Sequence, residues 1–124
     1  MNYSDLTRRY FETAVNAGVL TGPGTFRGAA GSRAQGTWVQ FDIQVGCGII
    51  QAARFLAFAC PHTIAVCAWT TEKAIGGPAR AVLPESAQAL SERFAVPVEK
   101  LGRLLIVEDA WAAAVAAAAA PAGA

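Results

Sequence analysis

Between Thr37 and Val45 the chain alternates without a break. Val39, Phe41, Ile43 and Val45 fall on one side of an extended backbone, and Gln40, Asp42 and Gln44 on the other. A period of two marks a half-buried antiparallel strand. Gly46-Cys47-Gly48 then signals a turn, and Ile49 to Phe58 reads as a returning strand, so the pair predicts a hairpin with an exposed Cys47 at its tip. One face of that hairpin is apolar and has to be covered.

Helices are available to cover it. Ser4 is placed as an N-cap ahead of Leu6, Tyr10, Phe11, Ala14 and Val15 at helical spacing, with Gly18 as the stop. From Thr21 to Gly36 glycines and Pro23 accumulate, which predicts a flexible loop with at most a short edge strand. Pro61 suits a first helical turn, and the helix it opens is expected to reach Ile75 and stop at Gly76-Gly77, with Ile64, Cys67, Ala68 and Thr71 on its inner stripe. Pro84 is expected to open a further helix through Leu90 to Phe94, closed by Pro97. A last helix would turn Leu101, Leu104, Leu105, Ala112 and Val115 inward. The order of elements predicts an α+β fold, a small antiparallel sheet with helices packed on one face.

At 124 residues the chain suits one domain and can bury enough surface to fold without disulfide or metal. Net charge is +1 with 15% charged residues and no block of like charge, which excludes nucleic acid as the main partner. The alanine-rich run from Ala112 to Ala120 is shorter than the roughly 18 residues of a membrane span, and is expected to be a fraying helical tail with no membrane role. Cys47, Cys60 and Cys67 are odd in number and predict no disulfide framework, consistent with a reducing cytoplasm. The N-terminus carries no apolar signal stretch. No phosphate loop is present, and a single histidine offers little for acid–base work, so the chain is expected not to be an enzyme.

Several short segments carry a resemblance. Tyr3-Ser4-Asp5 opens the chain; Gly48-Ile49-Ile50 leads to Ala53-Arg54-Phe55; Ala59-Cys60-Pro61-His62-Thr63-Ile64-Ala65 is followed by Thr71-Glu72 and Gly76; and Val107-Glu108-Asp109-Ala110 lies in the last helix. In order and spacing these are similar to the iron–sulfur cluster assembly scaffold family of IscU and the NifU N-terminal domain. The resemblance implies that family's fold over residues 1–120, with 121–124 a short flexible tail.

Members of that family resembling this chain build a [2Fe–2S] cluster on three cysteines and a nearby histidine or aspartate. Soft thiolates suit iron–sulfide cores, and four donors close two tetrahedral irons around two sulfides. Carried over by position, Cys60 is the sole retained ligand. Gln35 stands at the first cysteine position and Thr37 at an aspartate position; Gly102 and Arg103 stand at the final histidine–cysteine pair. A guanidinium has no acceptor and stays protonated. The resemblance therefore implies a degenerate site, with no cofactor expected beyond an open case for a single zinc or iron ion at Cys60, with His62 as its companion.

Each candidate has a plainer reading. Cys60, at a strand–helix junction, is either a reactive thiolate favoured by the helix N-terminus and by Arg103 or an inert buried residue. His62 is expected to be a surface histidine near the cap rather than a ligand, since residues two apart do not face each other on a helix. Cys67 reads as packing. Pro97 and Lys100, in Val96-Pro97-Val98-Glu99-Lys100, partly match the family's chaperone-binding segment, although a proline-led helix start accounts for them as well. Trp38, Trp69 and Trp111 mark either core or a partner surface.

Three functions follow as expectations. The first is a scaffold-like protein of iron–sulfur assembly that binds or modulates a cysteine desulfurase, an Hsp70-type chaperone or a true scaffold. The second is a persulfide sulfur carrier using Cys60. The third is an interaction module outside the pathway.

Overall fold

The computed structural model describes residues 3–119. In chain order the elements are α1 (Asp5–Thr13), β1 (Thr25–Ser32), β2 (Thr37–Gly46), β3 (Ile49–Phe58), α2 (Pro61–Ala74), α3 (Ala87–Arg93), a 3-10 turn (Val98–Lys100) and α4 (Leu101–Ala119). The fold is α+β: a three-stranded antiparallel sheet in the order β1-β2-β3, with α4 lying on β1 and β2 and α2 on β3. The expected tail at 121–124 lies outside the described residues, as does Ala120.

The hairpin forms where the alternation places it. Gly46 pairs with Ile49, and Cys47 and Gly48 both have positive φ (54° and 74°), the geometry of a type I′ turn whose twist matches the strands it joins. Cys47 is exposed at the tip. Val39, Phe41 and Ile43 are fully buried beneath the helices. Phe41 meets the Trp111 ring edge-to-face, with centroids 5.1 Å apart.

Where a flexible loop with at most a short edge strand is expected, β1 is a full eight-residue edge strand paired along β2 from Thr25↔Gln44 to Ser32↔Thr37. Its small residues have a packing cause. A Cβ added at Gly28 would run into the α4 backbone at Ala113 and Ala114. The helix sits so close to the strand that glycine is required there, and the same composition reads as loop in the sequence.

Helix α1 begins on its Ser4 cap, whose Oγ accepts the Thr7 N–H at 3.1 Å. It ends at Thr13 rather than Gly18, because Ala14 and Asn16 turn to positive φ. The released backbone runs beside β3: the Phe55 N–H donates to Asn16 (3.0 Å) and the Gly18 N–H donates to Phe55 (2.8 Å). Pairing an exposed strand edge outweighs one more helical turn.

Helix α2 runs between α1 and the sheet and is buried on most of its surface, so a single inner stripe describes it poorly. Ile64 is only partly buried, while Val66, Trp69 and Thr70 join Cys67, Ala68 and Thr71 inside. Helix α3 starts on a Ser86 cap that accepts the Ala89 N–H at 3.1 Å, three residues later than Pro84 suggests. On α4 the inward set is Leu104, Val107, Ala110, Trp111, Ala114 and Val115; Leu105 is 49% exposed and Ala112 partly exposed.

The polar side of β2 also holds a buried charge. Asp42 takes Nε and Nη2 of Arg27 at 2.8 and 3.0 Å and the Leu20 N–H at 3.0 Å. Burial works against the carboxylate, but these donors outweigh it and hold Asp42 below the usual carboxylate range.

Candidate functional site

Cys60 follows β3 closely and is the N-cap of α2, in extended conformation. Pro61 occupies the first helical position, where its missing N–H costs nothing. The Cys60 Sγ lies 3.5 Å from Thr63 Oγ1. The thiol is half-buried rather than sealed in the core. Burial disfavours its thiolate, yet the Thr63 hydroxyl and N–H and the Arg103 guanidinium outweigh that penalty and lower the Cys60 pKa. Arg103 reaches it from the first turn of α4. Thr63 was not singled out in the sequence, although its position three residues past the cap is the signal that finds it.

Cys67 is fully buried, and burial together with the nearby Cys60 pushes its thiol far up, so it packs and does not react. His62 departs from the expectation of a surface residue. It is 2% exposed, and the Tyr3 ring meets it edge-on with centroids 4.7 Å apart. Its Nδ1 has no hydrogen-bond partner among the described residues. Burial, then the charges of Lys100 and Arg103, lower its pKa and favour neutral imidazole.

The other positions named by the resemblance are placed as follows. Trp38 pairs with Phe58, so the β1–β2 turn that carries Gln35 is at the end of the sheet from which β3 leads into α2. Gln35 is exposed there, its N–H held by Ser32 Oγ at 3.1 Å. Thr37 is buried on the face of Val39. Gly102 is exposed, and a Cβ built on it meets no atom within 4 Å. A cluster is the cargo of a scaffold, and its fit rests on donors. Among the described residues no group of three or more His, Cys, Asp and Glu side chains could hold a metal ion. One thiolate facing a guanidinium is a poor match for a [2Fe–2S] core.

Pro97 and Lys100 bracket the 3-10 turn that runs directly into α4, with Val98 82% exposed. The segment leads into the start of α4. No helix among the described residues is long and apolar enough to cross a membrane.

Comparison with known proteins agrees with this architecture. The structure is similar to a NifU-like protein (N-terminal) from Brucella abortus, with TM-score 0.72, 18% identity, and 94% of this chain and 93% of that chain covered. It is also similar to a proposed iron–sulfur cluster assembly scaffold protein for the SUF system from Fervidobacterium islandicum AW-1, with TM-score 0.73, 12% identity, and 91% and 96% covered. No curated protein matches the chain. The family profile described as NifU-like N terminal domain matches residues 2–120. With that match over nearly its whole length, the chain belongs to the NifU-like N-terminal domain family.

Proposed function

We propose that this protein acts in iron–sulfur assembly as a scaffold-fold protein that holds no cluster on its own donors. It binds or modulates the machinery instead, through a cysteine desulfurase, an Hsp70-type chaperone or a cluster-bearing scaffold, and is not an enzyme. The observation that carries this reading is Arg103 set against Cys60 at the ligand end of the fold. A fixed positive charge opposes iron at that position, and Gln35 and Gly102 add no thiolate or imidazole. Fold passes through the family more readily than chemistry does.

Anaerobic incubation with ferrous iron, sulfide and a cysteine desulfurase is expected to leave the protein colourless. A stable visible chromophore that stays with the chain through gel filtration would overturn the reading. Co-purification with desulfurase, chaperone or scaffold is expected; its failure with all three would favour a module outside the pathway.

The half-buried Cys60 with its lowered pKa favours a second reading, a persulfide carrier. The Cys60 thiolate would attack the outer sulfur of the desulfurase persulfide, forming a new S–S bond and releasing the desulfurase thiolate. Intact mass after incubation with desulfurase and cysteine should then rise by one sulfur atom, and Cys60→Ser should abolish the gain.

A further inference from the structure

Far from Cys60, at the C-terminal end of α2, two depressions share the residues Lys73 and Pro84. The first, about 280 Å³, has Trp111 and Leu83 in its lining and Lys73 and Arg80 among its polar groups. The second, about 500 Å³, lies over Tyr10 and Trp69 and is flanked by Arg9 and Arg93. A shared wall makes them one elongated groove rather than two isolated pockets. Its cations are all exposed.

Charge on this groove is one-sided. Arg9, Lys73, Arg80 and Arg93 line it, against Glu85 alone among acids. Glu85 is engaged by Arg93 at 2.6 Å, while Glu72 beside the groove accepts the Tyr10 hydroxyl at 2.6 Å and lies 3.7 Å from Lys73. Arg9 and Arg80 join no ion pair among the described residues; Arg9 lies over the Tyr10 ring at 5.4 Å. The whole chain carries a net charge of only +1, so this is a local concentration of positive charge.

The geometry points to a docking groove for an extended acidic peptide segment of a partner protein. An apolar side chain of that segment occupies the cavity beside Trp111, and flanking carboxylates meet Arg80, Lys73 and Arg9. A small ligand needs one enclosed site; the run from Arg80 past Lys73 to Arg9 and Arg93 suits a chain that lies along it. Arginine is among the residue types that dominate peptide and protein contacts, while Trp111 (1% exposed) and Trp69 (5%) lie beneath the groove as part of the core. Helix α2, 14 residues long, sets the groove about 20 Å from Cys60, so both ends can be occupied at once. The groove does not depend on the proposed role of Cys60.

A fluorescein-labelled peptide of alternating glutamate and leucine tests this by anisotropy on the full chain, with a lysine–leucine peptide as counterpart. Saturable binding of the acidic peptide alone is expected, weakened about tenfold in Lys73→Glu/Arg80→Glu and by raised salt. Arg33→Glu, at the opposite end of the sheet, should bind as the parent does. Far-UV circular dichroism checks that the charge-reversed variant keeps its fold, and Arg9→Gln, on the exposed face of α1, supplies a milder loss. Absence of saturable binding, or equal weakening by Arg33→Glu, overturns the proposal. Binding of indole-3-acetate with none of the peptide also overturns it, in favour of a small carboxylate.

Discussion

The Arg103 guanidinium, in the first turn of α4, meets the Cys60 thiol at the N-cap of α2 and stabilises its ionised form. The contact joins the starts of two helices.

Removing that cation should raise the Cys60 pKa. In a Cys47→Ser background, which leaves the sealed Cys67 as the other thiol, Arg103→Gln is expected to slow iodoacetamide alkylation at neutral pH by about threefold to tenfold. Rate against pH is the measurement, and an unchanged profile would separate Arg103 from the thiolate.

Asp42 predicts a pH dependence. Its folded pKa is depressed, so the stability it contributes is present above its ordinary value of 3.8 and is lost as pH falls through that value toward the folded one. Arg27 on β1 is its ion-pair partner, Arg54 faces it from β3 in register, and Gln40 lies alongside. Arg27→Gln should therefore lower stability at neutral pH and move the acid unfolding midpoint upward, read by circular dichroism.

Gly28 tests the packing of α4 on β1. A methyl group at that position meets helix backbone, which cannot rotate away, so Gly28→Ala should cost about 2 kcal/mol or more in urea denaturation. Gly102→Ala, whose Cβ points into open space, should cost far less.

These residues also show what the amino-acid order makes legible. Strands β2 and β3 stand out because Val39, Phe41 and Ile43 alternate with polar neighbours. Cys60 stands out because Pro61 fixes a helix start beside it. Strand β1 is concealed, since Gly28 answers to a helix distant in sequence. The burial of His62 is concealed for the same kind of reason, as the ring packed on it is Tyr3, distant in sequence. Arg103 reached the site through family resemblance and not through any local pattern. That Arg103 and Thr63 both act on Cys60 required the fold.

The central claim is that the donors present do not hold a cluster. Iron and acid-labile sulfide per chain, measured after anaerobic reconstitution and gel filtration, test it in the parent and in Gln35→Cys/Gly102→His/Arg103→Cys. The account predicts neither element on the parent and both on the variant, for which Gly102 leaves room. Iron and sulfide retained in equal amounts by the parent chain would contradict it.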